Sequence, residues 1–315
     1  MNLRLSTEAT EFGQVVLQAL GVLDEFIATC CAEREPRKRS GLIGSVLAEL
    51  GVWDLDPRRE PDDLEAAASV CRSAGWWCAP DPVAERLARP RDLSPDIEGQ
   101  FVVANERPAA ALDDLDGRWS AVTLDGRRSI ATARAANEGP RYSAFAVDVD
   151  LEPIDSAGLD DLALALVLPC WTLLGMLDRA IALTRQHVLE REQFGQPLAR
   201  FQSVQFQLTD AEVERAGLEE LAKYALCTCN QAGPDSIDDA LSLRLAAIEA
   251  ADIVFRVAHQ LHGAIGFCDE TALSWLSRYS RPLRRLPFDA TATRVQLTGR
   301  LGNRGLTGLF CESRG

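Results

Sequence analysis

The stretch Arg191-Glu-Gln-Phe-Gly-Gln-Pro-Leu-Ala-Arg-Phe-Gln-Ser-Val-Gln205 separates two long helical patterns, and the chain is read outward from it. Arg191 offers a planar guanidinium fork that suits a diphosphate. Gly195 and Pro197 break the helix, with Phe194 an aromatic of the exposed type beside them and Gln193 before it. Gln202 and Gln205 are three apart, so they share a face where the chain resumes as a helix. Taken alone, the stretch has a plainer alternative, an ordinary corner of solvated polar side chains.

On either side the apolar spacing is helical. Leu159 to Glu190 reads as one long helix or as two joined at Pro169. Phe201 to Asn230 and Ile237 to His262 are long amphipathic helices, separated by a loop at Gly233-Pro234. Glu270 to Tyr279 is a short helix and Ala290 to Leu301 the last. Residues 1–96 are also helical. Glu8 to Thr29 is an amphipathic pattern with Phe12, Val15, Val16, Leu20, Leu23 and Phe26 apolar, Leu42 to Leu50 closes on Gly51, and Pro61 to Ala74 ends before Pro80 and Pro82. Between them, residues 97–155 change period. Phe101–Val103, Trp119–Leu124, Ser129–Ala133 and Ser143–Val149 are short strands, with turns at Asp113-Asp114 and Asp125-Gly126. The expected fold is α+β and mostly helical: an N-terminal helical domain over 1–96, a reduced β domain over 97–155 and a helical C-terminal domain over 156–315.

Composition narrows the function classes. The formal net charge of −14 argues against nucleic acid, whose phosphates select basic surfaces. Hydrophobic residues at 47% and charged residues at 25% are ordinary for a globular protein. The first eleven residues hold no apolar signal region, and the most apolar run, Leu162 to Leu177, is short for a membrane span and contains Pro169. It reads as a buried helix in a cytoplasmic protein with no membrane partner. Nine irregularly spaced cysteines then read as reduced thiols. No metal site is expected: Cys227 and Cys229 do not share a helical face, and His259 and His262 do but lack a third ligand at spacing.

A second motif, His259-Gln260-Leu261-His262-Gly263-Ala264-Ile265-Gly266-Phe267, ends the second of the amphipathic helices. Glycines there allow positive φ and close approach of a ligand to the backbone. A simple glycine cap with His262 satisfied locally is the alternative. Together the two motifs resemble the R-x-Q-F-G-x-P-x-x-x-F-Q-x-x-Q and Q-x-H-G-G-x-G-[YF] signatures of the acyl-CoA dehydrogenases. The phrases Leu47-Ala48-Glu49-Leu50-Gly51-Val52-Trp53 and Ala79-Pro80-Asp81-Pro82 resemble that family's N-terminal domain more weakly. The resemblance implies a C-terminal antiparallel four-helix bundle and FAD bound across a subunit interface. Arg191 would pair with the pyrophosphate and Phe194 would pack on the cofactor. Gln193, Gln202, Gln260, His262, Gly263 and Ala264 would line its pyrophosphate–adenosine part. Ala264 stands where the family has a second glycine, which would hold the cofactor backbone farther away.

Other family features are missing. The Thr-Glu-Pro-x-Ala-Gly-Ser-Asp sequence that covers the flavin is absent; the nearest string is Asn105-Glu106-Arg107-Pro108-Ala109. The family's base removes an α-proton from an acyl-CoA while flavin takes the β-hydride. Asp289, in Pro287-Phe288-Asp289-Ala290-Thr291, is the one candidate for it. Asp289 is one methylene shorter than the family's glutamate, follows apparent extra length at Arg284-Arg285-Leu286, and equally suits a helix N-cap. The second family position for a base falls near Leu164 and Ala165, both apolar, with Leu166 where an arginine is expected. The pattern is similar to the shortened partner subunit of heteromeric actinobacterial α2β2 acyl-CoA dehydrogenases of steroid degradation. It implies a non-catalytic chain that shares FAD with a full-length homologue and an acyl-CoA substrate. Two alternatives stay open: a self-sufficient homo-oligomeric acyl-CoA dehydrogenase with Asp289 as base, and a scaffold or binding subunit without flavin chemistry.

Overall fold

The structure is a computed structural model that describes residues 3–22, 36–79, 81–110, 117–134, 146–229 and 234–304. Helix α1 spans Thr7–Gly21, opened by the Ser6 hydroxyl, which accepts from the Ala9 N–H at 3.2 Å. The helix expected from Glu8 to Thr29 stops at Gly21 as far as it is described; residues 23–35 lie outside the described residues. Helix α2, Pro36–Glu49, gives way to Gly51 in the left-handed region at φ 73°. Helix α3, Pro61–Trp76, starts on Pro61 with Asp62 and Asp63 in its first turn, the residues a helix N-terminus favours. The short α4, Val83–Leu87, leads into the sheet.

Five strands make that sheet: β1 Ile97–Val102, β2 Ala109–Ala110, β3 Arg118–Val122, β4 Arg127–Ala133 and β5 Val147–Ala157. Their order is β1-β3-β4-β5-β2, with β1 parallel to β3 and the other pairs antiparallel. Gly126, at φ 82°, makes the β3–β4 turn where Asp125-Gly126 predicts one. The turn expected at Asp113-Asp114 and the strand start at Ser143 lie outside the described residues. Strand β5 runs eight residues past the expected Val149 end, because pairing with β4 continues along Leu151 to Pro153 and again at Ala157. Phe101, Trp119, Ala131 and Val149 form a small core of their own.

The rest is helical: α5 Leu159–Glu190, α6 Gln202–Cys229, α7 Pro234–His262, α8 Ala272–Arg285 and α9 Ala290–Arg304. Helix α5 is continuous through Pro169. Packing against α3 and α7 outweighs the lost N–H donor. Although α5 is long and apolar enough to cross a membrane, 78% of its most apolar window is buried within the protein, so it is the core helix here. Helix α8 departs from expectation. It starts later than Glu270 and runs through Pro282 to Arg285. Leu273, Leu276 and Tyr279 are buried at spacings of three and carry the helix beyond the expected end at Tyr279.

Two contacts fix α5. At its start, buried Asp161 pairs with both Arg58 and Arg128, and Arg128 Nη1 also reaches Asp92 at 2.5 Å. This ties the N-terminal helices and β4 to the first turn of α5. Midway, α5 crosses α3 with no side chain between them. A Cβ on Gly75 would stand 1.9 Å from the Thr172 carbonyl oxygen, and one on Gly175 would stand 1.8 Å from that of Arg72. Backbone is hard to move, so Gly75→Ala and Gly175→Ala should each cost about 1–3 kcal/mol or more by forcing the helices apart. Urea denaturation would register this as a lower midpoint. An unchanged midpoint in both variants would contradict the close crossing.

Candidate cofactor-facing site

The turn after α5 is a hairpin. Arg191 closes the helix, its N–H donating to the His187 carbonyl at 2.8 Å, and its own carbonyl accepts from Leu198 N–H at 2.8 Å. Between these bonds Glu192–Gln193 pairs with Gln196–Pro197 as strands β6 and β7. The two tip residues both have positive φ, Phe194 at 53° and Gly195 at 79°. A two-residue hairpin turn with positive φ at both positions normally takes Asn-Gly or Gly-Gly. An aromatic there is strained. Its ring gains little in return: Phe194 is 92% exposed and touches Phe201 edge-on at 6.3 Å between centroids. Arg191 and Gln193 are exposed, as are Gln202 and Gln205 on the first turn of α6. Among the described residues the Arg191 guanidinium has no partner, whereas Gln205 Nε2 donates to the Ala199 carbonyl at 2.9 Å and steadies the loop.

The second motif meets the first through histidines. His187, four residues before Arg191, stacks on His262 with centroids 4.4 Å apart and planes at 16°. His262 Nδ1 lies 2.8 Å from the Ala258 carbonyl, and His259 stacks on Phe267 at 4.3 Å. All three histidines of the chain therefore gather at one end of α5 and α7. Gln260, Gly263 and Ala264 are exposed on the same helix end. Gly263 has φ 64°, and a Cβ there would meet nothing within 4 Å, so its backbone is open to a neighbour from outside. His187 gave no signal in sequence, because its role rests on a contact across 75 residues of chain.

The base candidates sit elsewhere. Asp289 is exposed and acts as the N-cap of α9: its Oδ1 accepts from Ala292 N–H and its carbonyl from Thr293 N–H, both at 2.8 Å. The space between sheet and α5 beside Ala165 and Leu166 is a cavity of about 30 Å³, with room for one or two waters. Two ionisable side chains line it that sequence reading passed over. Arg244, buried inside α7, donates to the carbonyls of Leu283, Leu286 and Phe288, and its Nε has no partner. An arginine within the apolar run of α7 was the available signal for it. Glu85, on the far wall, is pushed up to about 7 by desolvation, with Asp81 adding to the rise.

Two pH effects of opposite sign follow. A neutral Glu85 stabilises the fold fully below its ordinary value of 4.5, and that contribution is lost as pH rises through about 7. Glu85→Gln should therefore stabilise the protein at alkaline pH by up to ~3 kcal/mol and leave it nearly unchanged at acid pH. Equal effects at both pH values would contradict the buried neutral carboxyl. The three histidines are held below the ordinary imidazole range, burial being the largest cause, with Arg191 adding at His187 and Arg281 and Arg284 at His259. Their neutral forms stabilise the fold above about pH 6.5 and that support is lost on acidification. His187→Gln should flatten the fall in thermal midpoint between about pH 7.5 and 5.5; an unchanged slope would contradict the stack as its source.

Comparison with known proteins places this geometry. Residues 163–286 match the model of the acyl-CoA dehydrogenase C-terminal domain. The short-chain-specific acyl-CoA dehydrogenase of Megasphaera elsdenii is 32% identical over 100 residues, which are 31% of this chain and 25% of that protein. The chain thus spans about a quarter of the length of that relative. Among solved structures, a variant of the Tcur3481-Tcur3483 steroid ACAD superposes with a TM-score of 0.74 at 19% identity, covering 95% of this chain and 99% of that one. The ChsE4-ChsE5 complex from Mycobacterium tuberculosis gives 0.72 at 16% identity over 98% and 100%. The chain has the acyl-CoA dehydrogenase fold, and its residues 163–286 are similar to that family's C-terminal domain.

Proposed function

We propose that this chain is the non-catalytic subunit of a flavin-dependent acyl-CoA dehydrogenase, completing the FAD site of a full-length homologous partner. One observation carries the reading. Arg191 offers an unpaired guanidinium beside an exposed, strained Phe194, on the same end of the bundle as the open backbone of Gly263. A side chain that costs strain and gains only one edge contact, to Phe201, within its own chain is explained by a contact outside it. FAD fits that need: Arg191 would hold the pyrophosphate, Phe194 would cover it, and Gln193, Gln202, Gln260 and Gly263 would line the adenosine side, with His262 and Ala264 behind. When bound, the flavin supplies the hydride acceptor for α,β-dehydrogenation of the thioester.

Among the described residues, the space beside Ala165 and Leu166, where the family would place its chemistry, does not fit a second flavin. The cavity of about 30 Å³ between sheet and α5 cannot take an isoalloxazine or an acyl chain. Asp289 spends its carboxylate capping α9, which weighs against the self-sufficient enzyme with Asp289 as base. A bulky, steroid-derived acyl group in an α2β2 assembly agrees with the fold shared with the steroid ACAD and with the two-component ChsE4-ChsE5 complex.

Arg191→Ala tests the reading against that of a scaffold without flavin chemistry. In the complex with the full-length homologue, the variant should assemble normally but lose FAD on gel filtration at least tenfold more readily, since a pyrophosphate pairing is removed. Unchanged FAD retention would sink the proposal and leave the scaffold.

A further inference from the structure

The segment Arg281 to Arg285 forms a basic cleft that the flavin reading does not use. The cleft, of about 370 Å³, opens between α7, the last turn of α8 and the start of α9. Arg281, Arg284 and Arg285 line one side, Asp252 and Asp289 another, with Thr291 between. The two acidic groups are already committed. Asp252 Oδ1 accepts from Arg284 Nη1 at 2.6 Å, and Asp289 Oδ1 from Ala292 N–H at 2.8 Å. Arg284 is therefore neutralised and also lies over the Phe255 ring at 5.5 Å.

Arg281 and Arg285 are left over. Both are exposed, and neither makes a hydrogen bond or ion pair among the described residues. Four apart on one helix, they stand on the same face and repel one another. That repulsion reaches Arg284, whose guanidinium is held below its ordinary value first by desolvation and then by both neighbours. The two carboxylates that line the cleft, Asp252 and Asp289, accept from Arg284 and from Ala292 N–H, and neither bonds to Arg281 or Arg285 among the described residues. Complementing the helix dipole at the end of α8 accounts for one such charge, since the effect falls off within the last turn. It does not account for a cleft walled by three.

We propose that this cleft binds a phosphate monoester dianion, gripped between Arg281 and Arg285 with the Thr291 hydroxyl as a third donor. Two guanidinium forks suit the tetrahedral oxygens of such a group, and the volume admits the phosphate with part of the molecule that bears it. Neither arginine is among the residues that the flavin reading assigns to FAD, although Arg281 is close enough to His259 to act on its charge.

Calorimetric titration of the full chain at low ionic strength tests it, because an exposed site is screened by salt. Adenosine 3′,5′-bisphosphate should bind and adenosine should not. The Arg281→Ala/Arg285→Ala double variant should weaken binding at least tenfold while the chain stays folded, with a thermal midpoint no lower than that of the parent, since both side chains are solvated and their mutual repulsion is removed. Replacing both by lysine should restore most of the affinity. Inorganic phosphate titrated alone distinguishes the source. Comparable affinity points to free phosphate, and markedly tighter bisphosphate points to a nucleotide ester. Absence of binding by both phosphates, or equal binding by the alanine double variant, would overturn the site.

Discussion

Everything in this fold hangs on the close crossing of α3 and α5. Two glycines, Gly75 and Gly175, let each backbone rest on the other's carbonyl, at distances no side chain would allow. That contact sets how deeply α5 sits, and α5 touches the N-terminal helices, the sheet and the bundle. The Asp161 pairing with Arg58 and Arg128 fixes its start. Its far end is then not free to choose where Arg191 emerges. A rigid helix of 32 residues carries the placement from a packed core to an exposed hairpin.

The two ends of α5 show opposite economies. Around Leu164 to Leu168 every side chain is buried, and the residual cavity barely holds water. Polar groups there are few, and Arg244 donates to three carbonyls, Leu283 in the last turn of α8 and Leu286 and Phe288 in the loop before α9. At the C-terminal end the chain leaves a guanidinium, an aromatic and open backbone unpaired. Burial dominates where the family would do its chemistry, and exposure dominates where it would meet a neighbour's cofactor. That inversion supports the proposal of a subunit that lends a binding face without catalysing.

Much of this was legible in sequence. The 3.6-residue period of α5, α6 and α7 and the short alternating strands were sufficient for a mostly helical α+β fold, and Gly195 and Gly126 marked their turns. Local rules failed where distant contacts decide. The sequence pattern ended α8 at Tyr279, but burial of Leu276 and Tyr279 carried it on through Pro282 to Arg285. Strand β5 outran its pattern because β4 kept pairing with it. Within the site, the hairpin was hidden because Phe-Gly is not a usual hairpin tip. The stack of His187 on His262 was invisible because neither residue has a local pattern that points to the other. Glu85 and Arg244 were missed for the same reason: their significance lies in a shared cavity rather than in spacing.

The most direct measurement is the visible absorption of flavin in the chain purified alone and again after co-expression with a full-length acyl-CoA dehydrogenase homologue. A colourless lone chain and a yellow complex with about half a flavin per polypeptide are the predicted result. A lone chain that carries one flavin for each polypeptide would contradict it, because the cavity beside Ala165 and Leu166 has no room for that flavin.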